Sequence, residues 1–364
     1  MDNVFNKMLF ICLLLISSFS NNAVALNFVK KAQVEGVVWG MTELSSNEIF
    51  FTLRKGRAGI LTTNTGDVRW VTGLPAVVAK GQGGLLDVAS HSVDGNRQWL
   101  YFTYSKATDK GAVTALARAT LQGAKLEDWQ DLLVTKSASD TGRHFGSRIA
   151  FDNQGHVFFG VGDRGHRPNG QDLSTHAGTI IRLNLDGSVP SDNPFVNNKD
   201  VLPDIWSYGH RNPQGLCFNK QSNQLWSSEH GPRGGDEINL IEKGSNYGWA
   251  TVSHGKEYWG PFSVGEATSK TGMVDPRHIY IPSIAPGSLL CYEGNQIPEF
   301  HNRLLLGALK LQHLNTVKIG AKQSLADEQR WFESQGLRIR SLLQNSKGQL
   351  WFADDAGHIY LVTH

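Results

Sequence analysis

Six short apolar runs recur along this chain, each entered from a polar turn. They are Glu48-Ile-Phe-Phe-Thr, Trp99-Leu-Tyr-Phe-Thr, His156-Val-Phe-Phe-Gly, Gln224-Leu-Trp-Ser-Ser, Arg303-Leu-Leu-Leu-Gly and Gln349-Leu-Trp-Phe-Ala, spaced at intervals of roughly 46 to 79 residues. Before each lies a second apolar segment. The pairing is clearest in GSRIAFDNQGHVFFGVGD (146–163) and IRSLLQNSKGQLWFADD (339–355), where Asp152-Asn153-Gln154-Gly155 and Asn345-Ser346-Lys347-Gly348 supply hairpin-turn chemistry. Self-similarity at this period, nearly all β and with almost no long helical pattern, predicts an all-β, six-bladed β-propeller with insertions in the longer repeats. A pair of irregular β-sandwiches would not produce six similar hairpins.

The first 25 residues read as a cleaved signal peptide. Lys7 gives a short positive start, MLFICLLLISSF (8–19) an apolar stretch, and Ala23-Val24-Ala25 a small-residue cleavage site. The apolar stretch is shorter than the ~20 residues a spanning helix needs. Cleavage is expected before Leu26, leaving 26–364 as one propeller domain, since no linker or low-complexity block interrupts the composition. Export to the periplasm or outside the cell follows. The net charge of +2, without basic runs, argues against nucleic acid or an anionic membrane as partner. Cys217 and Cys291 remain in the mature chain, and either a disulfide or two buried thiols is open.

Hairpin geometry fixes which residues can meet. In an antiparallel pair, the entrance of the first strand and the exit of the second lie at the same end. Gln82, His144, Arg211-Asn212 and Arg338 stand at entrances; Asp163-Arg164, Glu229-His230, Lys310 and Asp354-Asp355 stand at exits. If all blades face alike, these groups converge on one mouth of the channel, a concavity suited to a polyanionic ligand. His144 can act as a general base if Asp163, at the exit of its own hairpin, orients it; a packed or solvated histidine is the alternative. Arg338 and Arg340, two apart on one strand, share a face.

The segment 229–249, EHGPRGGDEINLIEKGSNYGW, is rich in glycine and carries Pro232, which reads as a long ordered loop rather than a helix or central strand. Such a loop can present carbonyls and carboxylates to a hard cation such as Ca²⁺. It can equally be a glycine-rich crossover, with Glu237 a turn residue and Tyr247 a rim aromatic. No zinc-spaced His/Cys cluster appears, GVGDRG (160–165) lacks the βαβ context of a dinucleotide fingerprint, and no G-x-S-x-G elbow is present.

The motifs GGLLDVASH, RHFGSRIAF, GVGDRG, HRNPQGL, the whole 229–249 block, GALK and LRIR occur in an order that resembles the soluble pyrroloquinoline-quinone (PQQ) dependent sugar dehydrogenases. The resemblance runs from about Val34 to Val362 and is greatest to the shorter aldose sugar dehydrogenase branch. It implies oxidation of an aldose at C1 to the lactone, with hydride passing to the quinone. Gln82, Arg211, Asn212, Lys310, Arg338 and Arg340, with Tyr258 as a further contact, would hold PQQ. His144 would take the C1 hydroxyl proton, Asp163 would orient it, and Arg211 with a Ca²⁺ ion would polarise the quinone. That ion would rest on the carbonyls of Gly231 and Pro232; Glu237 and Tyr247 would serve a second, structural Ca²⁺. Electrons would leave to an unidentified acceptor. The loops that set sugar choice and dimerisation in the glucose enzymes are short or missing here, so a monomer with broad aldose tolerance is expected. Two rivals remain: a Ca²⁺-dependent lactonase with acidic ligands on the channel axis, and a saccharide-binding propeller without catalysis.

Overall fold

The polar turns do what their side chains predict. Asp152 Oδ1 accepts from the backbone N–H groups of Gln154 and His156 at 2.8 and 2.9 Å, and Asn345 Oδ1 accepts from Lys347 and Gln349 at 3.2 and 2.9 Å. Gly155 and Gly348 supply the positive φ that each turn needs. In this computed structural model, which describes residues 26–93 and 97–364, such hairpins build six four-stranded antiparallel sheets. The expected leader, 1–25, lies outside the described residues.

Strand β1 (Asn27–Gln33) precedes the first blade, which comprises β2 (Val38–Ser45), β3 (Glu48–Leu53), β4 (Arg57–Thr62) and β5 (Val68–Trp70). The second holds β6 (Leu85–Val93), β7 (Arg97–Thr108), β8 (Gly111–Gln122) and β9 (Lys125–Val134); the third holds β10 (Ile149–Phe151), β11 (His156–Val161), β12 (Thr179–Asn184) and β13 (Ile205–Tyr208). The fourth holds β14 (Pro213–Asn219), β15 (Gln224–Glu229), β16 (Asp236–Ile241) and β17 (His278–Tyr280); the fifth holds β18 (Pro286–Cys291), β19 (Arg303–Ala308), β20 (His313–Ile319) and β21 (Leu325–Trp331). The sixth is β22 (Ile339–Gln344), β23 (Leu350–Asp354) and β24 (His358–Thr363), completed on its outer edge by β1. Pairing the first strand with the last ties the ring shut and covers an edge that would otherwise stand open. The fold is the six-bladed propeller expected from the repeats.

The recurrent apolar runs are the second strands of the blades, and their composition has a packing reason. Phe50 and Phe51, or Phe158 and Phe159, point to opposite faces of one sheet and enter two different interblade clusters. Each blade is therefore sandwiched between two others, and a strand buried on both faces reads as a continuous apolar run. The first strands β2, β6, β10, β14, β18 and β22 pack on one another around the axis. Cys217 on β14 and Cys291 on β18 form a disulfide between the fourth and fifth blades, with Cα atoms 5.7 Å apart. No helix among the described residues is long and apolar enough to cross a membrane.

The 229–249 segment departs from expectation. Its middle is not loop but β16, the third strand of the fourth blade, paired with β15 from Glu229↔Glu237 to Leu225↔Ile241. The reason is local: Ile238 and Leu240 are buried on one face of the strand and Ile241 on the other, whereas the glycines crowd into 231–235 and 244–248, on either side.

Candidate active site

The hairpin rule places most of the site. At the third blade, His144 precedes β10 and Asp163 follows β11, and the two meet: His144 Nδ1 lies 2.6 Å from Asp163 Oδ1. This approach needs Gly162, because a Cβ there would lie 2.4 Å from the His144 carbonyl oxygen. Asp163 accepts two more hydrogen bonds, from the Gly165 N–H at 2.7 Å and from Trp249 Nε1 at 2.7 Å on Oδ2. Burial alone would raise the Asp163 carboxyl, yet His144, then the Gly165 N–H and the charge of Arg211, hold it below the ordinary carboxylate range. Burial pushes the His144 imidazole below its ordinary value; Asp163 opposes that shift and the charge of Arg211 reinforces it. The ring is thus neutral at physiological pH, with Nδ1 donating to a carboxylate and Nε2 left as the basic nitrogen. His144 has φ +56°, an uncommon backbone state for a non-glycine residue, and its N–H donates to Gln82 Oε1 at 2.7 Å.

Beside this pair, Arg211 enters from the start of the fourth blade. Its N–H donates to Glu229 Oε2 at 2.7 Å, its Nη1 donates to the His230 carbonyl at 2.9 Å, and its guanidinium lies 5.4 Å from the Trp249 ring. Asp163 N–H donates to the Arg211 carbonyl at 2.8 Å, which joins the third and fourth blades at the base.

Gln82, Asn212, Lys310, Arg338 and Arg340 line one cavity of about 380 Å³, with Trp39, Arg54, Gln214 and His230. Four cationic side chains face this space, and among the described residues no carboxylate lines it. Arg338 and Arg340 do share a ligand of the protein's own: Asp355 lies just behind, accepting from Arg338 Nε at 3.0 Å and from Arg340 Nε and Nη2 at 2.8 and 3.0 Å. One carboxylate behind two guanidiniums leaves net positive charge towards the cavity. His230, between Arg211 and Arg340, is held neutral, its pKa pushed down to about 3 by burial and then by Arg211; its Nε2 donates to the Pro286 carbonyl at 2.9 Å.

A second, much smaller void of about 10 Å³, room for one water-sized sphere, lies between Gly231, Glu229, Glu237, Tyr247 and Gly235. The turn here is so tight that a Cβ on Gly231 would sit 2.2 Å from the Gly235 carbonyl oxygen. Burial and the charge of Glu229 push the Glu237 carboxyl up to about 8, and Asn239 Oδ1 is buried without a partner among the described residues. A cation beside them would offset the burial of Glu237 and its repulsion from Glu229. The Tyr247 hydroxyl is committed elsewhere, donating to the Leu240 carbonyl at 2.5 Å and accepting from Glu242 N–H at 2.8 Å, so only the Tyr247 carbonyl remains for an ion. Among the described residues no three His, Cys, Asp or Glu side chains form a metal cluster, so an ion here would lean on carbonyls. Asp236 braces the loop through Gly231 N–H, Ser283 Oγ and Ala285 N–H at 2.9, 3.0 and 2.7 Å.

Tyr258 stands apart. It is 67% exposed on the 256–263 hairpin and lines neither void. Conversely, Trp249, Arg54 and Trp39 were not anticipated. Arg54 was findable, since it exits the Glu48–Leu53 strand by the same hairpin rule; Trp249 reaches Asp163 from 86 residues away and had no local signal.

The molecule is thus a six-bladed propeller whose blade mouths carry a histidine–aspartate pair, a cationic pocket and an oxygen-lined turn. The sequence model of the Glucose / Sorbosone dehydrogenase family matches residues 36–362, and the chain belongs to that family. It is 36% identical over 325 residues to the aldose sugar dehydrogenase YliI of Escherichia coli, covering 87% of this chain and 86% of that one. It is 35% identical over 267 residues to quinoprotein glucose dehydrogenase B of Acinetobacter calcoaceticus, covering 64% of this chain and 54% of that one. The crystal structure of the apo-form of the E. coli soluble aldose sugar dehydrogenase superimposes with a TM-score of 0.89, spanning 93% of this chain and 99% of that one at 32% identity.

Proposed function

We propose that this protein is a PQQ-dependent dehydrogenase that oxidises aldoses at C1 to the lactone, acting as a monomer after export, with Ca²⁺ as a second cofactor. The observation that carries the reading is a cationic cavity with no carboxylate among the described residues of its wall, next to a histidine held neutral by a buried aspartate. The cavity suits a flat ligand bearing several carboxylates, which Arg338, Arg340 and Lys310 would meet as charge partners and Gln82 and Asn212 as amides. When bound, PQQ supplies an o-quinone that accepts hydride. The carbonyls of Gly231 and Pro232 would hold a catalytic Ca²⁺, and Glu237 with the Tyr247 carbonyl a structural one; the uncompensated Glu237 and Asn239 support that second site.

The chain's own work is proton transfer and orientation. His144 Nε2 would take the C1 hydroxyl proton, Asp163 would hold the ring so that Nε2 faces the substrate and would stabilise the imidazolium, and Trp249 would fix Asp163. Arg211 would place fixed positive charge where negative charge develops. Tyr258, exposed as it stands, would contact cofactor or sugar only from the rim. The electron acceptor is outside the chain. A lactonase with an axial metal is disfavoured because the described lining of the cavity offers cations and amides rather than acidic ligands.

The test is to add PQQ and Ca²⁺ to purified apo-protein and follow dye reduction with a panel of aldoses. Reduction with several aldoses is expected; a folded protein that reduces no dye with any of them would falsify the dehydrogenase reading. His144→Gln should then lose about two to four orders of magnitude in turnover while still binding PQQ, because a general base contributes about 10²–10⁴.

A further inference from the structure

Five of the six inner strands carry a register shift at the same level, close to their entrances: between Val38 and Gly40, Leu85 and Val88, Pro213 and Gly215, Pro286 and Leu289, and Ile339 and Ser341. A bulge leaves a residue outside the ladder, with a backbone group that needs another partner. In the sixth inner position stands Arg148, immediately before β10 and 6% exposed. Its guanidinium reaches all five bulges. Nε donates to the Gln214 carbonyl at 3.2 Å; Nη1 donates to the Trp39 carbonyl at 2.7 Å and to Asp87 Oδ1 at 2.9 Å; Nη2 donates to the carbonyls of Gly287 and Arg340 at 2.6 and 2.7 Å. All five N–H groups of the guanidinium are used, one for each of the other blades.

Three of those partners are also walls of the cationic cavity: Trp39, Gln214 and Arg340. The contacts continue upward from them. The Trp39 ring lies 4.8 Å from the Arg340 guanidinium and donates from Nε1 to Ser147 Oγ at 3.1 Å. Gln214 Nε2 donates to the Gly146 carbonyl at 3.0 Å and to Asn212 Oδ1 at 3.2 Å, two residues from His144 in one direction and within the amide set in the other. On its far side Arg148, with Asp87, lines a separate cavity of about 380 Å³ that opens at the opposite end of the channel.

We propose that Arg148 is the positioning residue of the cofactor seat: by drawing the bulged rungs of the five other blades onto one guanidinium, it sets the height and tilt of Trp39, Gln214 and Arg340 and seals the site from the lower channel. Its role as a cofactor seat rests on the PQQ reading above; the placement of the cavity floor does not. Lysine is the informative substitution, because an ammonium keeps the charge for Asp87 but brings three donors instead of five and no planar fork.

Two measurements on Arg148→Lys, with Asp87→Asn carried in parallel, decide the matter. In the apo-protein, amide hydrogen exchange at Gly40 and Gly146 should quicken about tenfold while the amides of β8 and β20, third strands of their blades, keep their wild-type rates. With Ca²⁺ present, the PQQ dissociation constant should rise about tenfold with kcat at saturating PQQ within about threefold of wild type. Unchanged exchange at Gly40 and Gly146 overturns the floor role, and unchanged PQQ affinity alongside altered exchange overturns the seat role. If wild-type protein takes up no PQQ, the functional reading falls, and the exchange result still decides what Arg148 holds. Should Arg148→Lys not fold, Asp87→Asn, which keeps the side-chain volume, supplies the same two readouts.

Discussion

At the residue scale, the surroundings of His144 suit it to the base role proposed for it. Desolvation keeps the ring neutral, Asp163 takes Nδ1, and Trp249 holds Asp163 in turn. Because the imidazole sits below its ordinary value, the acid limb of a kcat/KM profile should fall below pH 6.5, with activity flat above it. Trp249→Phe removes a donor from a buried carboxylate, a bond worth about 1.5–3 kcal/mol. The carboxylate then attracts the imidazolium proton more strongly, so the limb should move to higher pH and turnover fall about tenfold or more; an unmoved limb would remove Trp249 from the proton-handling chain. Arg338→Ala should mainly loosen cofactor retention, read by dialysis of the loaded protein, since Arg340 keeps Asp355 occupied. His144, Asp163, Gln82, Lys310 and Arg338 could be gathered from the chain because antiparallel pairing brings their ends together. Trp249, which arrives across a gap of 86 residues, could not.

At the element scale, each blade depends on neighbours, since its second strand is buried on both faces. The Cys217–Cys291 bridge joins the inner strands of two blades 74 residues apart in sequence. Replacing both cysteines by alanine should destabilise by about 2–4 kcal/mol, measured by denaturant unfolding under oxidising conditions, and an unchanged midpoint would show the bridge to be energetically idle. The chemistry of the two thiols was open in the sequence because pairing depends on a Cα separation that only the packed blades define. The 229–249 segment teaches a related lesson. Its glycine content, averaged over the stretch, read as loop, whereas the apolar Ile238-Asn239-Leu240-Ile241 core had enough period to add a strand to β15. A window that straddles two turns and a strand reports neither.

At the scale of the whole molecule, the ring buries titratable groups by geometry. Burial lowers His91, His144, His230, His254, His278 and His313, His230 to about 3. A histidine whose folded pKa is depressed favours folding above its unfolded value near 6.5, and the advantage is lost as pH falls towards the folded value, because the unfolded chain then binds more protons. Asp87, Asp236 and Glu237, raised by burial, act in the opposite sense, but the histidines outnumber them. Calorimetry in chelator should therefore show the melting temperature falling by several degrees from pH 7 to pH 5; a flat or rising trend would contradict the balance. The repeat period, the turn residues and the apolar runs determined the six blades by themselves, because those signals are local and each blade is a contiguous stretch of chain. Which polar ends of one hairpin meet, His144 and Asp163 among them, followed from antiparallel pairing. The charge balance of the cavity, the ion-sized void at Gly231, the disulfide and the Arg148 hub were decided only by closure of the ring. They join groups from different blades, and the distance between two blades is a property of how all six pack.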